Sequence, residues 1–245
     1  MRMKRILLAS SALAVLASVS QAQAASDMYV SVFGGGNFLQ DHSVVEAGVT
    51  NNVTGYEIDP NTGFVLGGAI GTHLTNWVKG LSVELEASYR RQDIGGNWFR
   101  DGDIPITPPT DTTGGSIDGN QSTFAIMANI WYEFDIGTKV RPYIGGGAGW
   151  ARTRYEAAFI TTFTDGVVPV TPTFNDSTSA DNSGFAWQLG LGFNYEVAQD
   201  VDVGLGYRYF VGPNIGNPYF SNFTGNAPMD NENHAVQVNL TIGIN

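Results

Sequence analysis

Histidine is the side chain to examine first for chemistry, because its imidazole ring both binds metals and carries protons near neutral pH. The chain has three histidines, His42, His73 and His234. No two of them have the HxxxH spacing that puts two metal ligands on one face of a helix. Cysteine is absent, which excludes thiolate metal sites and disulfides. We therefore expect no metal site and no cofactor.

A serine, a histidine and an acid can form a hydrolytic site in which the histidine activates the serine hydroxyl. His73 stands at the end of one extended segment, and Ser82 and Glu84 stand at the start of the next. A hairpin between these segments would bring the three side chains together. Whether such a trio can act depends on the elements that carry it.

Glycine clusters at 34–36 and 145–147 superficially resemble phosphate-binding loops. A phosphate-binding loop leads into a helix, and no helical pattern follows either cluster. Glycine inside strands instead permits bending and close packing.

Residues 1–24 are predicted to be a cleaved signal peptide. They carry Arg2, Lys4 and Arg5, then an apolar run too short to span a membrane as a helix, then the small-residue motif Ala22-Gln23-Ala24. The remaining 25–245 hold nine basic and 23 acidic residues, because the signal contains three of the twelve basic ones and none of the acidic ones. Such an acidic chain is not expected to bind nucleic acid.

Strict alternation of apolar and polar residues dominates the mature part. In 81–90, Leu81, Val83 and Leu85 share one face, whereas Ser82 and Glu84 share the other. The same period recurs at 124–134, 185–197, 201–211 and 236–244, and three glycine-rich segments are also extended in character: 28–39, 63–74 and 140–155. The sequence thus predicts eight strands.

Connection lengths distinguish a soluble sandwich from a membrane barrel. Three connections are tight turns, whereas four are long, polar and rich in Asp, Asn, Thr, Gly and Pro, at about 40–62, 95–120, 157–182 and 212–231. Short turns at one end and long loops at the other, after a signal peptide, indicate an outer-membrane barrel with both termini in the periplasm. We predict an all-β fold for 25–245, an eight-stranded antiparallel up-and-down transmembrane β-barrel.

This prediction assigns the two faces of the wall. The lipid-facing side chains are expected to include Leu85, Ile126, Leu189, Leu191, Leu205 and Leu240. Aromatic residues should gather near the two membrane interfaces. The predicted girdle comprises Trp77, Tyr132, Trp150, Trp187, Tyr195, Tyr207 and Tyr209.

Eight strands enclose a bore that side chains can just fill. The predicted interior carries Glu84, Glu86, Arg90, Glu133, Arg141, Glu196, Asp202 and Arg208. Charges of both signs in a bore of low dielectric are stable when paired and hydrogen-bonded, so we expect a polar plug. The serine–histidine–acid trio would lie in this bore, away from outer-leaflet lipid, and we therefore expect no catalytic site.

Three segments carry a family resemblance: PYIGGGAGWA at 142–151, GLGYRYF at 204–210 and HAVQVNLTIGI at 234–244. They resemble the OmpA-like membrane domain, particularly the opacity-type surface antigens, and the layout matches over nearly the whole mature chain. The chain ends at Asn245, after the last strand, so we expect the membrane domain without the peptidoglycan-binding domain of full-length OmpA proteins. The terminal aromatic residue usual in such barrels is absent.

The resemblance implies insertion by the outer-membrane assembly machinery and roles in envelope integrity, adhesion or immune recognition. The leading interpretation is a structural or interaction barrel that displays four loops to host or envelope components. Its partners would then be outer-membrane lipid and lipopolysaccharide, the assembly machinery, and a host or envelope ligand at the loops. A narrow porin for small solutes is the alternative, and a lipid-modifying enzyme ranks third.

Overall fold

The computed structural model describes residues 27–39, 42–47, 53–60, 62–101, 112–164, 169–215 and 231–244. The predicted signal peptide, 1–24, lies outside them. In the described residues, no helix has the length and hydropathy needed to cross a membrane.

Ten β-strands make up the described chain. They are β1 (Met28–Leu39), β2 (His42–Ala47), β3 (Val53–Pro60), β4 (Gly63–His73), β5 (Leu81–Asp101), β6 (Thr112–Glu133), β7 (Val140–Thr164), β8 (Pro169–Ala198), β9 (Val201–Val211) and β10 (Glu232–Ile244).

Eight of these strands close into a barrel. The order is β5-β4-β1-β10-β9-β8-β7-β6, and the pairing of β6 with β5 completes the ring. Each pair along the ring is antiparallel. Apart from the β2–β3 hairpin, each strand pairs with the strands before and after it in the chain, and β1 closes against β10. The predicted eight-stranded up-and-down barrel is therefore confirmed.

The register fixes the width of the barrel. Following directly opposed partners once around the wall from Tyr29 leads back to β1 at Leu39, ten residues further along the strand. A stagger of this size tilts the strands against the barrel axis and, with eight strands, leaves a bore only wide enough for side chains.

Three tight turns lie at one end of the barrel, here named the turn end: 74–80, 134–139 and 199–200. The first turn requires glycine at its last position. Gly80 has a φ of 85°, and an added Cβ would lie 2.2 Å from the Glu133 carbonyl oxygen. Any side chain at this position would be strained and would also clash with the neighbouring strand.

The opposite end, the hairpin end, differs from the sequence prediction. Much of 40–62, 95–120 and 157–182 is paired strand rather than loop. β5 and β6 remain paired to Asp101 and Thr112, β7 and β8 remain paired to Thr164 and Pro169, and β2 with β3 forms a hairpin that continues the wall beside β5. These segments are rich in Thr, Gly, Asp and Asn and carry no clear alternation, whereas backbone pairing needs no apolar side chain. Residues 216–230 of the fourth connection lie outside the described part.

Candidate functional site: the polar interior and the outer surfaces

The interior is filled by side chains at alternate positions of every barrel strand, in three layers along the axis. The layer at the turn end is centred on Arg141. Its guanidinium contacts Glu133 at 3.1 Å, Glu196 at 3.5 Å and Asp202 at 2.5 Å. The Asn194 amide donates a further hydrogen bond to Glu133. This layer is anionic, because one cation faces three carboxylates.

The middle layer is centred on Glu86, whose side chain is 1% exposed. The same carboxylate oxygen accepts hydrogen bonds from Arg208 at 3.0 Å, Gln188 at 3.0 Å and Asn129 at 2.9 Å. The Arg208 guanidinium also lies 4.1 Å from the ring centroid of Trp131. The ion pair and the stacking together offset the cost of burying the charges of Glu86 and Arg208.

Two further charges flank this centre. Glu84 accepts hydrogen bonds from the Tyr29 hydroxyl at 3.3 Å, Asn129 at 3.2 Å and the Trp131 indole at 3.4 Å. Towards the hairpin end, the guanidinium of the buried Arg90 stacks on the ring of Phe210, 3.9 Å from the ring centroid. The structure therefore brings Glu84, Glu86, Arg90 and Arg208 into the middle of the bore.

An uncharged layer near the hairpin end was not identified from the sequence. Asn37 donates to Gln92 at 2.5 Å and to Asn233 at 2.9 Å, and Gln121 donates to Asn231 at 2.8 Å. Asn233 donates to Asn231 at 2.7 Å and so joins the two groups. The inward phase of the strands was a usable signal for Asn37, Gln92, Gln121 and Asn233, whereas Asn231 precedes β10.

Inward glycines make room for these large polar side chains. A Cβ at Gly147 would lie 2.1 Å from the Asn129 amide oxygen, and a Cβ at Gly190 would lie 2.7 Å from the Arg208 side chain. The glycine clusters thus serve close packing across a narrow bore.

A cavity of about 60 Å³ remains in the turn-end half of the interior. Its lining includes Glu84, Trp131, Asp202 and Arg208. This polar cavity is large enough to hold ordered water.

The serine–histidine–acid trio lines this same cavity. His73 lies directly opposite Ser82 in the register of β4 and β5, as the hairpin argument predicted. The His73 ring packs against Tyr29 at 4.8 Å, and Glu84 accepts its hydrogen bonds from Tyr29, Asn129 and Trp131. The trio is therefore placed in the bore and faces away from the apolar outer surface.

The outer surface of the barrel is apolar. Of the predicted lipid-facing residues, Ile126, Leu189, Leu191, Leu205 and Leu240 are exposed, and Leu85 is half-buried on the same face. Leu189 and Leu191 are each more than half exposed. An apolar belt around a closed barrel is stable when hydrocarbon covers it.

Aromatic side chains border this belt on the outer surface. Trp77 is 79% exposed in the first turn, and Tyr132 on β6 and Tyr195 on β8 lie near the turn end of their strands. Trp150, Trp187, Tyr207 and Tyr209 lie towards the hairpin end. There the Tyr209 hydroxyl donates to Glu232 at 2.8 Å and its ring packs edge-on against Trp187 at 5.5 Å.

Charges outside the belt mark the turn end. Lys79 donates to Asp135 at 2.7 Å across two neighbouring turns. This hydrogen bond raises the pKa of Lys79 and lowers the pKa of Asp135. Both side chains are exposed, so their pairing is consistent with an aqueous surface immediately beyond the belt.

Comparisons with known proteins identify this architecture. Residues 7–242 match the family model described as outer membrane protein beta-barrel domain. The outer membrane protein PagN of Salmonella typhimurium is 30% identical over 83 residues, which cover 34% of this chain and 31% of PagN. An uncharacterised protein of Brucella abortus is 27% identical over 143 residues, 57% of this chain and 49% of that relative. The chain thus spans from about a third to half of the length of these curated relatives.

Solved structures that this chain resembles include Neisserial surface protein A, at 13% identity and a TM-score of 0.44, covering 89% of this chain and 97% of that one. The outer membrane protease OmpT of Escherichia coli has 12% identity and a TM-score of 0.46, with coverage of 89% and 97%. The family match extends over nearly the whole chain and agrees with the closed wall and the apolar belt. The chain belongs to the outer membrane protein β-barrel family, and its location is the outer membrane of a Gram-negative bacterium.

Proposed function

We propose that this barrel is a closed anchor that holds rigid β-hairpins outside the cell, where they contact host or envelope molecules. The observation that carries this proposal is the continuation of strand pairing beyond the apolar belt. Above Trp150, which borders the belt, β7 continues to Thr164 with β8 paired alongside. About 14 residues at roughly 3.3 Å each give a projection of about 45 Å along the strands.

Paired strands suit display better than unpaired loops. A contact surface that is already ordered loses less conformational entropy when it binds a partner. In this arrangement the hairpin end faces the medium, and both termini lie with the turn end in the periplasm. The outer-membrane assembly machinery would be the partner during insertion.

The charge of the displayed segments narrows the class of partner. Residues 40–62, 95–120, 157–182 and 212–231 hold twelve acidic residues against one basic residue, Arg100. The exposed arginines Arg91, Arg152 and Arg154 lie nearer the belt and are not part of these segments. Such a surface repels polyanions and favours neutral or basic partners.

The filled interior supports a closed barrel rather than a porin. Three layers of interlocking side chains occupy the bore, and the buried charges of the middle layer are held by hydrogen bonds, stacking or an ion pair. A continuous water column would require these groups to separate, which leaves charges unpaired in a bore of low dielectric. We also propose that the chain is not an enzyme, because Ser82, His73 and Glu84 line a cavity inside the bore, away from lipid at the apolar outer surface.

Closure is tested with purified protein, and display is tested separately on cells. In planar bilayers the purified protein should show no steady conductance, and in liposome-swelling assays it should admit no sugar. Large, steady conductance would support the porin alternative instead.

Display is tested on cells that express the protein. A variant that lacks 158–177, with the shortened β7 and β8 joined by a two-residue turn, should adhere to epithelial monolayers less than the full chain does. A matched control carries a substitution at the turn end, Thr138→Ala. Equal adhesion of the shortened and full-length chains, at equal surface amounts, would overturn the display function.

Orientation can be measured directly because the chain has no cysteine. A membrane-impermeant maleimide added to intact cells should label Ser116→Cys in the β5–β6 hairpin and should not label Thr138→Cys in the second turn. The reverse pattern would refute the proposed orientation.

A further inference from the structure

The outer face of β5 to β8 carries three successive bands near the hairpin end, which differ in chemistry. The first is aromatic: Phe124, Trp150 and Phe185 are exposed on three adjacent strands. They mark the border of the apolar belt, where aromatic side chains meet lipid headgroups.

The second band is cationic and lies immediately beyond the first. Arg91 on β5 is directly opposite Ser122 on β6, which is directly opposite Arg154 on β7. Adjacent strands are about 4.8 Å apart, so the backbones at the two arginines are separated by roughly 10 Å. Arg152 lies one outward position closer to the belt on β7, opposite Phe124. All three arginines are exposed.

Three of the nine basic residues in 25–245 thus lie in one band of a strongly acidic chain. Within the described residues, Arg91 forms no ion pair. Arg152 contacts Asp181 at 3.0 Å, and Arg154 contacts Glu156 at 2.7 Å. These pairs are about half exposed, and such pairs contribute little stability, so a more highly charged anion can displace the carboxylates.

The third band is a polar groove of about 400 Å³ beyond the arginines, on the outer face of β6, β7 and β8. Its lining includes Asp118, Asn120, Glu156, Ser177 and Ser179, together with Arg154 from the second band. Asn120, Glu156 and Ser179 form one row across the three strands. Hydroxyl, amide and carboxylate groups are suited to hydrogen bonds with sugar hydroxyls, and the volume is within the range of small-ligand pockets.

We propose that these three bands together bind a phosphorylated glycolipid of the outer leaflet. The acyl chains would lie against Phe124 and Trp150, a phosphate between Arg91 and Arg154, and a sugar in the groove. The order of apolar, anionic and hydroxyl-rich parts in such a lipid matches the order of the three bands. The inference rests on the proposed orientation, in which the hairpin end faces the medium.

The test of the phosphate site uses purified protein in a neutral detergent, with bisphosphorylated lipid A and its dephosphorylated form as probes and native mass spectrometry as the readout. An arginine near an anionic lipid surface contributes about fivefold in affinity. The double variant Arg91→Gln/Arg154→Gln should therefore bind bisphosphorylated lipid A at least ten times more weakly. The matched control Lys79→Gln/Lys139→Gln removes the same charge at the turn end and should bind as the original chain does.

The test of the groove compares lipid A with a lipopolysaccharide that carries core sugars. Ser179→Trp fills the groove, so it should abolish the gain from the core sugars. The heat-dependent mobility of folded barrels on gels verifies that each variant is folded.

Equal affinity of the arginine variant and the original chain, or equal binding of the phosphorylated and dephosphorylated lipids, would overturn the phosphate site. A core-sugar gain that survives in Ser179→Trp would overturn the assignment of the sugar to the groove. Maleimide labelling of Thr138→Cys instead of Ser116→Cys would refute the orientation, and with it the proposed function, whatever the binding measured in detergent. The two failures are therefore distinguishable.

Discussion

Replacement of Arg208 by methionine would leave a carboxylate in the middle of the bore without its salt-bridge partner. Among the described residues, Arg208 is the cation that lies within salt-bridge distance of Glu86, at 3.0 Å, and the Glu86 side chain is 1% exposed. Methionine keeps much of the length and the apolar stem of arginine, so the change removes the charge with little loss of packing.

The expected cost follows from the burial of this pair. Breaking a buried ion pair by removing one partner costs about 3–5 kcal/mol, because an uncompensated charge remains. Gln188 and Asn129 continue to donate to Glu86, which places the expected loss near the lower end, at about 3 kcal/mol. Replacing both partners, as in Glu86→Gln/Arg208→Met, removes the buried charge, so the double variant should be at least ~1.5 kcal/mol more stable than Arg208→Met alone.

The free energy of unfolding can be measured by urea titration in lipid vesicles, with tryptophan fluorescence as the signal. Arg152→Met is the matched control, because Arg152 is also 3.0 Å from its carboxylate partner but both side chains are more than half exposed. It should cost no more than about 1 kcal/mol. Equal costs for Arg208→Met and Arg152→Met would show that water solvates Glu86, and the argument for a closed interior would fail.

Three other outcomes are expected. Leu191→Arg should destabilise the barrel by about 2–4 kcal/mol, and Val197→Arg, beside a tight turn, by no more than about 1 kcal/mol, because the cost of a lipid-facing charge depends on its depth in the membrane. Equal losses of unfolding free energy in urea titrations would contradict the placement of the belt. Gly149→Ala should reduce the yield of folded barrel on unheated gels, because its Cβ would lie 2.0 Å from the Ile126 carbonyl oxygen, whereas Gly34→Ala, with its nearest atom at 3.6 Å, should fold normally. Protease added to intact cells should spare 112–120, which pairs with β5 and β7, and efficient cleavage there would argue against a rigid hairpin.

The alternation in 81–90 was sufficient to predict which side chains face lipid and which face the bore. A strand has a period of two, and a membrane barrel demands an apolar outer face, so the pattern has one consistent solution. The same argument placed Leu189 and Leu191 outside and Gln188 inside, as the structure has them. The even strand count and the asymmetric connections then predicted closure.

The hairpins above the belt could not be predicted in this way. Ser177 and Ser179 stand on strand β8 within 175–182, a segment that is polar apart from Ala180. Pairing there is decided by backbone hydrogen bonds that continue from the barrel wall, and these leave no hydrophobic period in the sequence. For the same reason the polar groove beside Glu156 was not anticipated.

Alternation left the facing of the glycine-rich segments 28–39, 63–74 and 140–155 open. Local pattern otherwise determined the fold class, the two faces of the five clearly alternating strands and the inward phase of their charged residues. Tertiary structure decided which of those residues meet. Arg208 and Glu86 are 122 positions apart in the sequence, and their contact depends on the ten-residue stagger accumulated around the closed wall. That stagger is a property of the whole ring. The position of each strand along the barrel axis depends on the register of every strand pair around the wall, up to the closing pair β1–β10.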